Sequence, residues 1–239
     1  MSARLGLILL VSVLAVGCAK APPREVNLLL PRIGSQTLAL GVGAGNVQVA
    51  PSEDGTVHVT VKLERPRGLF GYWTTAAKAK ALNNAALMPT LDNNGVRSVK
   101  LQLQAGADSA DIQEAWTVEV PPIMHLQVDM QAGNLQILGV AGGVDADLRA
   151  GKLMVNIPYG ALHGNVGTGD IEAQCHVLDY GAVSLSSGVG EAQLTINGSA
   201  AGTSQRNGAG QRVDYQGSGK NPVNLSSGAG KVELSLSDH

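Results

Sequence analysis

Two pairs of carboxylates have a spacing that could serve general acid and base catalysis. Asp145 and Asp147 alternate along one predicted strand, and Asp170 and Glu172 alternate along another. Residues two apart on a strand share a face, and paired carboxylates at a suitable separation can cleave glycosidic bonds. The alternative is structural, because outward strand positions must be polar and Lys152 lies one repeat before Asp170. We expect the structural role and predict no catalytic residue in this chain.

The remaining chemistry-bearing residues form no recognisable site. Cys175 precedes His176, but neighbours on a strand point to opposite faces, so we expect Cys175 to fill a small apolar space. The segment 217–220, GSGK, lacks both the following Ser or Thr and the upstream Gly of a phosphate loop. The histidines show no close spacing to cysteines or carboxylates: His58, His125, His163, His176 and His239. We therefore predict no metal site and no cofactor.

The first residues have the layout of an export signal. Arg4 is followed by an apolar run over 5–16, which is too short to span a membrane as a permanent helix. Cys18 comes directly after a small residue at the end of that run, which resembles a bacterial lipobox, although Ala15 stands where such boxes usually carry Leu. The resemblance implies a lipoprotein signal peptide over 1–17 and acylation of Cys18. An ordinary secretory signal with an incidental cysteine is the alternative.

An acylated Cys18 would define the location and the partners of the chain. Acyl chains, such as palmitate, hold a protein at a membrane surface, and Ala19 in place of Asp points to the outer membrane by analogy with other lipoproteins. Residues 18–34 would then be a tether or linker. Only Cys175 would remain as a thiol, which excludes an internal disulfide. Because the net charge is −2 and the chain has no basic run, we do not expect nucleic acid as a partner.

A glycine-centred motif recurs along the second half of the chain. VSLSSGVGEAQL (183–194) and VNLSSGAGKVEL (223–234) are identical at seven of twelve positions. A small residue, a glycine, a polar residue and alternating apolar positions recur every 18 to 21 residues, with the glycines at Gly133, Gly151, Gly169, Gly190, Gly210 and Gly230. A period near 20 residues is typical of stacked repeats, with glycine at corners that need positive φ.

These patterns predict an all-β fold, a β-solenoid of stacked coils of about 18–21 residues with a small helical insertion. We expect N-terminal β repeats over 35–130 and regular solenoid repeats over 131–239. After Gly210 the apolar positions shift by one, which indicates either a bulge or a glycine that is not a corner.

The repeats of the N-terminal half are interrupted near 67–95. The Ala-rich stretch 74–88 favours a helix, so we interpret this segment as an insertion of helix and loop. Phe70, Tyr72 and Trp73 gather just before the helix. They either anchor the insertion or form a contact patch for a membrane or a partner.

Repeated glycine-polar-apolar units behind a bacterial export signal resemble the bacterial β-strand-repeat family called "putative adhesin", whose function is unknown. The resemblance covers roughly residues 35–66 and 114–236 and implies a solenoid with no established activity. We expect a non-enzymatic cell-envelope lipoprotein that binds or organises an envelope protein or a glycan. The alternative is a carbohydrate-active β-helix enzyme that acts on an envelope or extracellular polysaccharide.

Overall fold

A computed structural model describes residues 24–31, 37–64, 84–103, 112–176, 180–198, 202–207, 212–217 and 221–237. This part of the chain is entirely β, as predicted, and contains no helix, so it also contains no apolar helix long enough to cross a membrane. The strands are β1 (Arg24–Leu30), β2 (Thr37–Pro51), β3 (Val57–Glu64), β4 (Ala86–Leu91), β5 (Val96–Gln102), β6 (Gln113–Val120), β7 (His125–Leu138), β8 (Val144–Ile157), β9 (Gly160–His176), β10 (Tyr180–Val189), β11 (Ala192–Asn197), β12 (Gly202–Asn207), β13 (Arg212–Gly217), β14 (Pro222–Ala229) and β15 (Val232–Ser237).

All these strands belong to one mixed sheet that is organised as two columns. The long strands β2, β7, β8 and β9 are parallel neighbours, in that order. At both ends of the stack, the two halves of a long strand pair with different short strands. The first half of β9 pairs with β10 and its second half with β11, and the first half of β2 pairs with β5 and its second half with β6. We call the first halves with β4, β5, β10, β12, β13 and β14 the first column. The second halves with β1, β3, β6, β11 and β15 form the second column, and one pass through both columns is a rung.

Glycines occupy the corner between the two halves of each long strand. Gly45, Gly133, Gly151 and Gly169 are in register on neighbouring strands, and the last three have φ between +125° and +136°. A Cβ atom on Gly151 would lie 1.7 Å from the carbonyl oxygen of Gly133, so the rungs approach too closely for any side chain here. The predicted alignment of the repeat glycines in one column is confirmed for these strands.

The corner also keeps the apolar residues of both halves on one side. In β8 the buried residues before the corner have even numbers and those after it have odd numbers, so the alternation shifts by one at Gly151. A one-residue shift would normally turn a strand's apolar side chains outward, but the positive φ of the corner glycine compensates for it. Leu148 and Leu153 therefore face the same interior, which is filled almost wholly by aliphatic side chains.

The two nearly identical segments lie on neighbouring strands. β10 and β14 are parallel and in register, with Val183 beside Val223. The chain between them forms the antiparallel hairpin β12–β13, and β13 pairs antiparallel with β14. The chain thus reverses between Asn207 and Arg212, where the repeat pattern placed a corner at Gly210. The apolar residues of the shifted segment, Val213 and Tyr215, stand opposite Leu225 and Val223 in this antiparallel register, and Gly210 itself lies outside the described residues.

Two predictions for the N-terminal half differ from the structure. Residues 24–30, inside the segment 18–34 that we expected to be a tether, form β1 and pair antiparallel with β3. Within the expected helical insertion near 67–95, residues 86–91 form β4 and pair with β5 instead of forming a helix or loop. Pro89 lacks the N–H that a helix interior requires, whereas a strand at the edge of a sheet tolerates it. Residues 65–83 lie outside the described residues.

Candidate functional site

The outward side chains of the first column form a polar surface, the first outer face. Because β7, β8, β9, β10 and β14 are parallel and in register, equivalent residues lie in rows across the strands, about 4.8 Å apart. One row is Gln127, Asp145, His163, Ser184 and Asn224, and the next is Asp129, Asp147, Asn165, Ser186 and Ser226. The surface is regular and carries small polar side chains with amide, hydroxyl, carboxylate and imidazole groups.

The predicted carboxylate pair on this face is divided between two environments. Asp145 Oδ2 lies 3.0 Å from His125 Nε2, and His125 Nδ1 lies 3.3 Å from the carbonyl oxygen of Gly142. Asp147 instead stands directly opposite Asp129 on β7. Asp147 and Asp129 are exposed, and neither forms an ion pair or side-chain hydrogen bond with another residue that the structure describes. Asp145 is therefore held in a contact across strands, whereas Asp147 faces a like charge.

The second outer face is formed by the outward residues of the second column, and its predicted pair, Asp170 and Glu172, makes contacts within the sheet. Lys152 Nζ donates a hydrogen bond to Glu172 Oε2 at 2.8 Å, and this bond raises the pKa of Lys152. Asp170 is the register partner of Lys152, but its Oδ1 accepts the backbone N–H of Glu191 at 2.9 Å. Lys152 therefore pairs with Glu172 and not with Asp170, and both carboxylates have structural partners.

The side chain of Cys175 lies on the buried side of the sheet, in agreement with the prediction that it fills a small apolar space. Its side chain is buried, and burial raises the pKa of the thiol to about 11, which disfavours the nucleophilic thiolate. The neighbouring His176 is exposed on the opposite face. Among the described residues there is no group of three or more His, Cys, Asp and Glu side chains that could hold a metal ion.

The other predicted site residues cannot be placed. Cys18 precedes the described residues, and Phe70, Tyr72 and Trp73 fall in the segment 65–83, which also lies outside them. The lipidation and contact-patch hypotheses therefore stay predictions.

A buried carboxylate escaped the sequence analysis. Glu114 on β6 is buried opposite Gly45, accepts a hydrogen bond from Trp116 Nε1 at 2.7 Å, and also accepts the backbone N–H groups of Gly43 and Ala44. Removal from water raises the pKa of this carboxyl, and the hydrogen bonds oppose that shift. The signal was present in β6, where a charged residue takes an inward position in an otherwise regular alternation.

Comparisons with known proteins place few constraints on this chain. No family model matches it, and no curated protein sequence matches it. A solved structure of a "putative cell adhesion protein" from Clostridium sporogenes is similar, with 11% identity over 90% of this chain and 100% of that chain and a TM-score of 0.45.

Two further solved structures are similar at lower scores. A "putative adhesin" from Bacteroides fragilis has 11% identity over 90% of this chain and 95% of that chain, with a TM-score of 0.24. Another, from Parabacteroides merdae, has 9% identity over 88% and 96%, with a TM-score of 0.22. These names agree with the adhesin resemblance of the sequence, but likenesses with such low scores carry no argument about fold or function.

Proposed function

We propose that this chain is a non-enzymatic lipoprotein of the bacterial cell envelope, anchored at the outer membrane, whose β-solenoid scaffold binds or organises another envelope component. The observation that carries the proposal is the in-register parallel pairing of β2, β7, β8 and β9. It repeats each outward position from rung to rung and so builds an extended, regular binding surface. Repetitive scaffolds commonly bind through such extended surfaces.

Two further features support a solenoid architecture. The corner glycines of successive rungs contact each other, so each rung requires its neighbour to lie directly above it. Antiparallel strands flank this parallel stack, with β3 and β1 beside β6, β4 beside β5, and β13 and β12 beside β14. In this interpretation the parallel rungs are the solenoid body, and the antiparallel strands cover the N-terminal end of both columns and the C-terminal end of the first column.

The first outer face is the better candidate for binding. Like charges directly opposite each other on neighbouring strands are destabilising. Asp129 and Asp147 are in this position, while Asp170 and Glu172 on the second outer face have partners. A ligand that donates hydrogen bonds, such as the hydroxyl groups of a glycan chain, would relieve the repulsion between Asp129 and Asp147.

The connection to the membrane would be short. β1 begins at Arg24, six residues after Cys18, so an acylated Cys18 would hold the β1 end of the second column near the bilayer. Six extended residues span about 20 Å at most. The segment with Phe70, Tyr72 and Trp73 joins β3 to β4, two strands at this same end of the sheet. We therefore propose these aromatic residues as a contact patch for the membrane or an envelope partner.

Two measurements test the anchor and the binding face separately. Fractionation of cells tests the anchor, and binding of the purified chain to isolated cell envelopes tests the first outer face. In cells, the wild-type chain should sediment with membranes and the Cys18→Ser chain should be soluble. The purified Cys18→Ser chain should still bind isolated cell envelopes when the two are sedimented together. Adding Asn165→Arg should reduce that binding at least about tenfold, because a long side chain in the centre of the first outer face holds a ligand away from it.

Gln174→Arg is the matched control for this experiment. Gln174 and Asn165 both point outward from β9, but Gln174 lies on the second outer face. The Gln174→Arg chain should bind envelopes as the parent does. Equal binding by all these variants would reject the first outer face, and membrane retention of the Cys18→Ser chain would reject the anchor. Cleavage of envelope polysaccharide by the purified chain would favour the enzyme alternative.

A further inference from the structure

One of the four column ends differs from the other three. The first column ends in antiparallel strands on both sides, at β4 and at the β12–β13 hairpin. The second column ends at β1 on one side, where β1 and β3 are also antiparallel additions to β6. Its other end is β15, which is parallel to β11 and pairs with no further strand among those that the structure describes.

The interior is incompletely covered at this end. Leu234 and Leu236 continue the rows of Leu194 and Ile196 on β11. Ile196 is fully buried, whereas Leu236 is 44% exposed and Leu234 is partly exposed. Inward-facing apolar residues at the last strand thus remain in contact with water, as expected where one more strand would complete the core.

The backbone of β15 also offers hydrogen-bonding groups at this edge. The carbonyl oxygen of Ser237 accepts the N–H of Gly198, so Ser237 directs its backbone groups toward the β11 side. Backbone direction alternates along a strand, and Leu234 and Leu236 therefore direct their N–H and carbonyl groups to the free edge. An open edge of this kind is a template for pairing with another strand.

We propose that β15 pairs with β15 of a second copy of this chain, antiparallel and across a two-fold axis at Ser235. Such pairing would provide the antiparallel cover that the other three column ends already have. In this register Leu234 of each copy faces Leu236 of the other, and Glu233 faces Ser237, so apolar residues meet and the two Glu233 carboxylates do not. Even-numbered residues stay on the inner side, which makes the two interiors continuous.

The two-fold axis would place one residue of each copy opposite itself. Ser235 would form a pair without backbone hydrogen bonds on the axis, where Cα atoms are about 4.5 Å apart. That separation lies within the range that a disulfide bond can span.

Cysteine cross-linking tests this register directly. Every chain carries Cys18→Ser, so that the buried Cys175 is the other thiol. Mild oxidation of the Ser235→Cys chain should give a disulfide-linked dimer in high yield. The control is Thr195→Cys, because Thr195 is the register partner of Ser235 on β11 but lies one strand inside the edge. It should remain monomeric on a non-reducing gel.

The mass in solution tests the interface without a cross-link. The parent chain should sediment as a dimer, and Leu236→Lys should sediment as a monomer with unchanged circular dichroism, because a charge at this position would be buried between the copies. A parent chain that is monomeric, with no cross-link at position 235, would overturn the proposal. So would a dimer that persists in Leu236→Lys, or cross-linking of position 235 to a different envelope protein in cells.

Discussion

The corner in the middle of the stack and the same corner toward its two ends are built differently. Glycine contacts glycine at the corner from Gly45 to Gly230, but in the middle of the stack the last inward residue before each corner is apolar, namely Met130, Leu148 and Val166. In the next two rungs Ser187 and Ser227 take that inward position. At the opposite end the glycine column stops at Glu114, which stands opposite Gly45.

The polar residues near the ends have backbone partners that the apolar ones do not need. Ser187 and Ser227 donate hydrogen bonds to the carbonyl oxygens of Gly169 and Gly190, each at 2.8 Å. Glu114 accepts the backbone N–H groups of Gly43 and Ala44. β8 and β9 run unbroken through their corners, whereas β10 and β11 are separated at 190–191. Where the strand pairing is interrupted or ends at the corner, side chains thus form hydrogen bonds with the backbone groups there.

The largest effect should follow from a substitution in the middle of this column. Gly151→Ala places a methyl group 1.7 Å from the carbonyl oxygen of Gly133, at a φ of +136°. Because the backbone cannot move away without separating the rungs, the loss of stability should exceed about 4 kcal/mol. We expect no soluble folded protein, or a transition at much lower urea concentration. The control is Gly95→Ala, at φ +78° with open space around it, which should cost only about 1–2 kcal/mol. Equal effects of the two would contradict the close packing of the corner.

Substitution of Glu114 tests the N-terminal end of the comparison. In Glu114→Gln the amide oxygen can accept from Trp116 Nε1, but the NH₂ group cannot accept the N–H groups of Gly43 and Ala44. A buried donor left without an acceptor costs about 1–3 kcal/mol, which urea unfolding at pH 7 would measure. An unchanged midpoint would show that these N–H groups have other partners.

The pH dependence of the same variant gives an independent measurement. Burial raises the pKa of Glu114 above its ordinary value of 4.5, so the folded state binds more protons than the unfolded state between the two pKa values. The stability of the parent should therefore fall as pH rises from 4.5 through the raised pKa, relative to Glu114→Gln, which has no such group. The difference in stability between parent and variant should be largest at low pH and should narrow as pH rises.

The sequence predicted the regular part of the fold because its signals are local. The alternation of apolar and polar residues depends on one rung, and the corner glycines depend on one rung and its immediate neighbour. These glycines are Gly133, Gly151 and Gly169. The hairpin β12–β13 was missed because its residues also alternate, and alternation does not tell whether a strand runs parallel or antiparallel. The Ala-rich stretch before Pro89 favoured a helix by intrinsic propensity, but residues 86–91 pair with β5, and tertiary pairing overrides propensity.

The candidate site was less predictable because it depends on which rungs are neighbours. Asp145 and Asp147 were recognised as outward residues, but the contact of Asp145 with His125 and the position of Asp129 opposite Asp147 require the register between β7 and β8. Glu114 was missed because its partners, Gly43 and Ala44, are about seventy residues away in the chain.

The smallest of the three effects should come from Ser187, at the C-terminal side of the comparison. Its buried hydroxyl donates to the carbonyl oxygen of Gly169, so Ser187→Ala should cost about 0.5–1.5 kcal/mol in urea unfolding. Ser184→Ala, at an outward position of the same strand, should change stability by less than about 0.5 kcal/mol. If Ser187→Ala were as stable as the parent, the corner carbonyl would not need its side-chain donor. The distinction between the middle of the stack and this end would then rest on packing alone.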